Sequence, residues 1–296
     1  MQIPQCSVSR VELSFSRRRF LGVCGALPLL RPGWAAKGGV LPGGLRLSTS
    51  SNHFKSLSLE EACRRIAALG FEGIDIWSAY EDCPHLDDAL ARLGGGGLKD
   101  LLARHQLGLC SFSCYVGGFA KYARLLGETG GGVAIQGSAA PCPPEELTSR
   151  MRAFLEGLKP LVELAERHDA RLAIENHGTA LLDSLDSFKA FVDLNRSPHL
   201  GIALAPYHVQ AGGESVEAAI RAAGSQLLFF YAWQNRPGKD QLPGHGPTDF
   251  RPWLRALEAI GYRGYVNPFM HGHLEPDEMS AALGVARDYL KERMKP

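Results

Sequence analysis

The sequence of 296 residues has no run of the roughly 18 apolar residues that a membrane-spanning helix requires. It also lacks the low hydrophobic content of a disordered chain, since 45% of its residues are hydrophobic and 21% are charged. Neither the strict glycine period of collagen nor the heptads of a coiled coil occur. These absences leave a globular protein with one large domain or two ordinary ones.

The chain has little excess charge of either sign and no disulfide framework. Its 32 Lys and Arg residues nearly balance 31 Asp and Glu residues, so the formal net charge of +1 gives no argument for nucleic acid or an acidic partner. Seven scattered cysteines indicate free thiols. Cys110 and Cys114 are four residues apart in a strand-like run, so we expect them on one face as core thiols rather than as a metal pair.

The first 35 residues differ from the rest and resemble a secretory signal. Arg17 and Arg18 precede an apolar run that ends near Leu30, and small residues stand at Gly33 and Ala35. A cationic segment, a short apolar core and small residues before a cleavage site are the three parts of such a signal. Twin arginines are typical of the twin-arginine (Tat) route. We expect cleavage after Ala35 and a periplasmic product, with an uncleaved basic tail as the alternative.

Residues 36–296 would then form one mature domain. This part holds 27 Lys and Arg against 30 Asp and Glu, a net charge of −3, which further disfavours nucleic acid as a partner. It also contains all ten histidines of the chain.

From residue 45 onward, short continuous apolar runs alternate eight times with amphipathic segments. The runs predict strands at 45–49, 71–77, 107–113, 132–137, 171–175, 201–205, 226–233 and 265–269. Continuous apolar strands separated by helices are typical of parallel strands buried on both faces. Eight such units in about 250 residues predict an α/β fold of the (β/α)8 TIM-barrel type, with four glycines at 94–97 as a loop insertion. A doubly wound sheet is disfavoured because no G-x-G-x-x-G motif follows the first strand.

Polar residues gather after the predicted strands, where a TIM barrel builds its active site. Six histidines follow strands or lie in the loop after the seventh: His53, His177, His208, His245, His271 and His273. Three others precede strands and are interpreted as structural: His105, His168 and His199. Glu175 ends the fifth strand, so its carboxylate is expected at the barrel mouth, where it can bind a metal or move a proton next to a carbonyl.

Aromatic residues also fall at strand ends, at Trp77, Tyr207, Tyr231 and Trp233. Their flat faces suit the C–H faces of a sugar ring, and their polar edges can donate hydrogen bonds. The alternative is that they close the barrel over its core.

Five segments, in this order and spacing, resemble the sugar phosphate isomerase/epimerase family, the xylose-isomerase-like barrels that include endonuclease IV. They are GFEGIDIW at 70–77, LAIENHG at 172–178, GIALAPYH at 201–208, GHGPTDF at 244–250 and GYRGYVNPFM at 261–270. The resemblance covers roughly residues 45–290. It implies a TIM barrel that holds one divalent cation with Glu, Asp, His and Glu after strands five to eight, two of these carboxylates acting as acid and base.

The sequence departs from that implied ligand set at three of its four positions. Only Glu175 matches, while Ala205 stands in the place of Asp, Tyr231 in the place of His and Asn267 in the place of Glu. A hard divalent cation held by a single carboxylate would be bound poorly. The change at 267 also removes the second proton-transferring carboxylate.

Two replacements for the usual site are open. Glu175, His208 and His271 could form a softer site for one zinc, manganese or iron ion. Alternatively, the reaction runs without a metal and His208 acts as base, since an unperturbed imidazole pKa of about 6.5 suits that role. The expected substrate contacts are His53, Trp77, Asn176, His177, Tyr207, Trp233, Gln234, His245 and Asn267.

The expected protein is an exported sugar isomerase or epimerase with Glu175 and His208 as catalytic residues and a small carbohydrate as substrate. Lyase or hydratase chemistry on a keto-sugar begins with the same proton abstraction and stays open. A non-catalytic carbohydrate-binding barrel is the second alternative, motivated by the lost ligands. A DNA-cleaving function is disfavoured by the missing ligands, the charge and the export signal. The oligomeric state is left open.

Overall fold

Eight parallel strands close into a barrel in the order β1 to β8. The computed structural model describes residues 44–295, so the expected signal at 1–35, with Arg17, Arg18 and the cleavage after Ala35, lies outside the described residues and stays a prediction. The strands are β1 Arg46–Ser50, β2 Gly73–Trp77, β3 Gly108–Ser113, β4 Gly132–Gly137, β5 Ala170–Glu175, β6 Leu200–Leu204, β7 Leu227–Ala232 and β8 Tyr265–Pro268. The predicted TIM barrel is confirmed.

Helices surround the barrel and join its strands. They are α1 Leu59–Ala68, α2 His85–Asp88, α3 Gly94–Arg104, α4 Gly118–Glu128, α5 Leu147–Arg167, α6 Leu185–Leu194, α7 Pro206–Ala211, α8 Val216–Ala223, α9 Arg251–Ala259 and α10 Pro276–Arg293. Serine side chains start several of them: the Ser58 Oγ accepts a hydrogen bond from the Glu61 N–H at the start of α1. No helix within residues 44–295 has the length and apolar character needed to cross a bilayer.

Side-chain alternation along β5 explains why Glu175 lies at the mouth. Leu172 and Ile174 point outward into the apolar layer beneath the helices, whereas Ala173 points into the barrel. Because residues two apart in a strand share a face, Glu175 follows Ala173 on the inner face at the carboxyl end of the strand. Its strand neighbour in register on β6 is Ala203.

A bulge between β2 and β3 changes which residues of β3 face inward. The register shifts by one residue between Ile74 and Asp75, which leaves Cys110 as the extra residue of β3. Cys110 therefore packs inside the barrel while Cys114 packs in the outer layer. The expectation that both thiols share one face was wrong for this reason. Both are buried free thiols, as expected.

The four glycines at 94–97 begin α3, so the expected loop insertion was wrong. Gly94 has φ +60°, which separates α3 from the π-helical turn at Ala89–Leu93. Gly95 lies where α3 meets α4, and a Cβ atom there would lie 2.3 Å from the Cβ of Glu128. A glycine is required at this crossing because no side chain fits.

We predict that Gly95→Ala lowers the free energy of unfolding by about 1–3 kcal/mol, the usual cost of overpacking. The matched control is Gly96→Ala, one residue along the same helix, where an added Cβ would meet nothing within 4 Å. That control should raise the free energy of unfolding by about 0.5–1 kcal/mol, because alanine loses less entropy than glycine in a helix. Denaturant unfolding measures both, and equal effects would contradict the assigned crossing.

Candidate active site

A cavity of about 410 Å³ opens among the carboxyl ends of the strands. Its volume lies in the range of about 300–1,000 Å³ that is common for small-molecule sites. The larger lining side chains are Trp77, Tyr80, Tyr115, Glu175, His177, His208, Phe269 and His271. Of the predicted site residues, the cavity therefore brings together Trp77, Glu175, His177, His208 and His271.

Glu175 is the carboxyl group in the cavity wall. Its pKa is raised from 4.5 to about 7, mainly by removal from water and to a smaller extent by the nearby Asp75 carboxylate. A hydrogen bond with the Tyr115 hydroxyl and the proximity of His271 offset part of that increase. A carboxyl group with a pKa near 7 holds a proton about half of the time at neutral pH, so it can both accept and return one.

Stacked aromatic rings form one wall of the cavity. The Trp77 and Phe269 rings are nearly parallel, with centroids 5.1 Å apart and an interplanar angle of 12°. Tyr115 lies against the same indole at 5.0 Å. These rings make that part of the wall apolar, and Glu175 lines the same cavity.

The three cavity histidines differ in their surroundings. The rings of His177 and His208 lie 4.0 Å apart. Burial, together with His177 and His271, lowers the pKa of His208 to about 3. His208 is therefore a neutral imidazole near pH 7, which corrects the expectation of a base with an ordinary pKa. His271 pairs instead with Glu81, whose Oε1 lies 2.8 Å from the His271 Nδ1.

Asp75 is a buried carboxylate that the sequence analysis did not identify. It lies inside the barrel on β2, and four neighbouring groups donate hydrogen bonds to it. Ser50 and Ser111 donate at 2.8 Å each, Ser113 donates at 2.9 Å, and the Trp77 indole N–H donates as well. Burial nevertheless raises the pKa of Asp75 to about 6. The only sequence signal was an acidic residue between two isoleucines in an otherwise apolar strand.

Hydroxyl groups connect Asp75 to Glu175. The Ser113 Oγ lies 3.2 Å from the Tyr231 hydroxyl, and the Tyr231 hydroxyl lies 2.9 Å from that of Tyr115. Tyr115 in turn hydrogen-bonds Glu175. The buried Asp75 and the half-buried Glu175 thus terminate one hydrogen-bonded chain, of which only the Tyr115 and Glu175 end lines the cavity.

Two predicted substrate contacts instead hold strand ends together. The His53 Nε2 accepts a hydrogen bond from the Met270 N–H at 3.2 Å, and its Nδ1 lies 3.0 Å from the Thr49 Oγ1. Burial lowers the pKa of His53 to about 3. Asn176 clamps the backbone of Ala205 through two hydrogen bonds, of 2.7 and 3.2 Å. Neither side chain is part of the cavity wall.

Two further predicted contacts fasten the segment after β7. The Gln234 side chain bonds the backbone of Leu242 and Thr248, and the His245 Nε2 lies 3.0 Å from the Ala282 carbonyl oxygen. Both are placed behind the mouth, where they fix the segment that leads to α9 and α10.

Tyr207 and Trp233 support the cavity from behind. Their rings are stacked with centroids 4.5 Å apart, and the edge of Trp233 packs against His208 and His271. The Trp233 Nε1 is buried without a hydrogen-bond partner in the described part of the chain. These aromatics therefore orient the cavity histidines.

At three of the four implied ligand positions the residues do not fit a divalent cation. Ala205 has no donor atom, and Tyr231 is enclosed in the hydroxyl chain. Asn267 accepts from Ser48 at 3.2 Å and donates to Ser50 at 3.0 Å, so its amide is already satisfied. Nowhere in residues 44–295 are three or more His, Cys, Asp or Glu side chains grouped to hold an ion. The alternative set of Glu175, His208 and His271 shares the cavity without forming such a group.

Comparison with known proteins supports the assignment of fold. Residues 63–289 match the family model described as a xylose isomerase-like TIM barrel. A stretch of 147 residues is 25% identical to the L-ribulose-5-phosphate 3-epimerase UlaE of Escherichia coli O157:H7 (strain EC4115 / EHEC), covering 48% of this chain and 51% of that protein. The match thus spans about half the length of this curated relative.

Solved structures include sugar epimerases and a zinc-bound protein of the same fold. The 3-keto-D-glucoside 4-epimerase YcjR of E. coli, in its apo form, has a TM-score of 0.65 at 17% identity, covering 82% of this chain and 99% of that one. The IOLI protein with a bound zinc atom has a TM-score of 0.65 at 16% identity, covering 84% and 98%. At these identities the likeness shows the fold alone.

We predict that Glu175→Gln raises the midpoint temperature of unfolding at pH 8 and leaves it unchanged at pH 4. The pKa of this group is about 7 in the folded protein and near 4.5 when unfolded. The folded state therefore binds the proton more tightly, and the stability from that proton is lost as the pH rises through 7. Above that pH wild type buries a carboxylate, whereas the variant buries a neutral amide.

The control for this measurement is Glu145→Gln, at an exposed position of the β4–α5 connection. It should change the midpoint temperature at neither pH. An increase for Glu175→Gln that is equally large at pH 4 and pH 8 would show that the carboxyl group is not titrating near 7.

Proposed function

The chain belongs to the xylose isomerase-like TIM-barrel family, and from that premise we propose that it is a sugar epimerase- or isomerase-like enzyme. Glu175 is the group that takes a proton from the carbon next to a carbonyl and later returns it. The observation that carries the proposal is this carboxyl group in the wall of a cavity of about 410 Å³, with a pKa raised to about 7.

The cavity wall suits a sugar lying beside Glu175. The aromatic side chains that line the cavity can pack against C–H bonds of the sugar ring. His208, kept neutral by its lowered pKa, can donate a hydrogen bond to a hydroxyl or carbonyl oxygen without adding charge. Neutral donors suit chemistry in which negative charge develops on an oxygen while Glu175 holds the proton.

The substrate class we propose is an uncharged sugar or keto-sugar. Among the described residues that line the cavity there is no Lys or Arg, so a phosphate group would have no cationic partner in the wall. The named activity of one solved neighbour is on a 3-keto-D-glucoside, and that of the curated relative is on a pentulose phosphate. The lining favours the first kind of substrate over the second.

A single cavity carboxyl group limits how the proton can move. The family position at 267 holds an amide, and Asp75 lies inside the barrel away from the cavity. Glu175 therefore removes and returns the proton on one face of the intermediate, which moves a carbonyl between neighbouring carbons as an isomerase does. Epimerisation needs a second donor that delivers the proton to the opposite face. Elimination of a leaving group after the same first step would give a lyase or hydratase, and product analysis separates the two outcomes.

The test is incorporation of solvent deuterium into free aldoses, free ketoses and keto-sugars, followed by NMR or mass spectrometry. We predict that wild type exchanges at least one of them, with a rate that rises with pH to a plateau above about 7 because Glu175 must be ionised. Glu175→Gln should lower that rate by roughly 100-fold or more, the usual contribution of a general base.

The matched control is Glu72→Gln. Glu72 is a half-buried carboxyl group next to β2 whose pKa burial also raises, and it is not part of the cavity. It should leave the exchange rate unchanged. Binding of a sugar with no deuterium exchange would instead identify a carbohydrate-binding barrel, the second candidate, which the replacements at Ala205, Tyr231 and Asn267 favour.

We further predict that dialysis against a chelator leaves the exchange rate of wild type unchanged, because three of the four implied ligand positions lack a free donor. Metal analysis of the dialysed protein is the control that the ion has been removed. If the rate falls and zinc, manganese or iron restores it, the alternative site at Glu175, His208 and His271 is the correct one.

A further inference from the structure

The hydroxyl of Tyr115 lies at the boundary between the cavity and the barrel interior. Its ring belongs to the cavity wall, and its hydroxyl bonds both the Glu175 carboxyl group and the Tyr231 hydroxyl. Burial raises the pKa of both phenols well above 10, so each carries its proton at neutral pH. Tyr115 is thus a proton-bearing donor next to the proposed base.

Tyr231 and Ser113 determine which way the Tyr115 proton points. A hydroxyl has one proton, and Ser113 has two acceptors within reach: Asp75 at 2.9 Å and Tyr231 at 3.2 Å. If Ser113 donates to Asp75, Tyr231 donates to Ser113 and Tyr115 donates to Tyr231. If Ser113 donates to Tyr231, the order reverses and the proton of Tyr115 points into the cavity.

In the reversed order Asp75 loses one of its four hydrogen-bond donors. Its carboxylate still accepts hydrogen bonds from Ser50, Ser111 and the Trp77 indole when Ser113 turns away. In that order Tyr115 accepts a hydrogen bond from Tyr231, which polarises its own O–H bond and makes it a stronger donor.

We propose that Tyr115 is a second catalytic residue, which donates a hydrogen bond to the substrate oxygen that becomes negative when Glu175 removes the neighbouring proton. The inference rests on the proposed function. In the step, the C–H bond breaks and its proton goes to the Glu175 carboxylate, a C=C bond forms, and the carbonyl π electrons move to oxygen. The proton of Tyr115 stays on its phenol oxygen throughout. Its hydrogen bond passes from the Glu175 carboxylate to the substrate oxygen as Glu175 takes up the substrate proton and becomes neutral. Tyr231 is a positioning residue that acts through Tyr115.

Tyr231 stands where the resemblance implies a histidine ligand, and its hydroxyl supports the phenol donor of Tyr115. A hydrogen-bond donor aimed at developing oxyanion charge performs the stabilisation that a cation would otherwise supply.

The experiment is a double-mutant cycle on the deuterium-exchange rate. Tyr115→Phe should lower the maximal rate by about 100-fold with little change in KM, as for loss of one oxyanion donor. Tyr231→Phe should lower it roughly 10-fold. The double variant should be no slower than Tyr115→Phe alone, because Tyr231 acts only through Tyr115. Tyr262→Phe is the control, since it removes a buried hydroxyl that bonds the Tyr265 carbonyl outside the cavity.

A second measurement reads the same contact without turnover. In protein labelled with [ζ-13C]tyrosine, the Tyr115 resonance, assigned by its loss in Tyr115→Phe, should shift in Tyr231→Phe and stay in place in Tyr262→Phe. It should also shift when D-fructose is added at saturating concentration. Circular dichroism verifies that each variant is folded. If Tyr231→Phe does not fold, the exchange rate of Tyr115→Phe still tests the proposal, because Tyr115 is only half-buried in the cavity wall.

The outcomes separate this inference from the proposed function. If wild type exchanges deuterium and Tyr115→Phe exchanges it at the same rate, the role of Tyr115 is wrong. The role of Glu175 is not affected by that result. Tyr231→Phe lowers the exchange rate of wild type by a certain factor. If it lowers the rate of Tyr115→Phe by the same factor in the double variant, Tyr231 acts independently of Tyr115. Absence of exchange by wild type with every sugar overturns the proposed function, and the catalytic role of Tyr115 falls with it.

Discussion

The buried carboxylate of Asp75 is the constraint around which the interior of the barrel is arranged. A charge removed from water is tolerable only when hydrogen bonds replace its hydration. Ser50 on β1, Ser111 and Ser113 on β3 and the Trp77 indole supply those bonds. The bulge in β3 at Cys110 brings the serines into reach. One carboxylate therefore fixes the register of three strands and the orientation of the tryptophan that forms the cavity wall.

The same removal from water gives Glu175 its chemistry. Burial is the largest cause at both carboxyl groups, and it raises the pKa of Asp75 to about 6 and that of Glu175 to about 7. Glu175 is destabilising when ionised, which is the usual balance between stability and activity at a working site. The hydroxyl chain through Tyr115 and Tyr231 links the two carboxyl groups. The same hydrogen bonds thus join Asp75, which stabilises the barrel interior, to Glu175, which is the proposed reactive group.

The sequence predicted the features that depend on local pattern. Continuous apolar runs predicted the eight strands, and the place of Glu175 at the end of the fifth run predicted a carboxylate at the mouth. The expected role of His208 as base depended on an ordinary pKa, and that of His53 as a substrate contact depended on an accessible imidazole. Burial lowers the pKa of both to about 3. That burial is set by neighbours distant in the chain, so a histidine count could not predict it.

Asp75 and Tyr115 were missed for a related reason. Each is unremarkable in its own segment, and the link between them exists only because the barrel closes and places Tyr231 of β7 across from β3. The bulge adds a shift of one residue, which reverses the face predicted from alternation for Cys110. Long-range contacts and register shifts of this kind leave no periodic trace in the sequence.

The net charge at the implied ligand positions explains why neutral residues replace the carboxylates. The resemblance implies three carboxylates and a divalent cation, which together carry one negative charge. Here Ala205 and Asn267 remove two of those carboxylates and leave Glu175, so the cluster carries one negative charge without an ion. Had the carboxylates remained without a cation, their mutual repulsion would have raised their pKa values and protonated them. The neutral replacements avoid that cost. Among the described residues that line the cavity, they leave Glu175 as the one carboxyl group, with the Tyr115 phenol as its hydrogen-bonding neighbour.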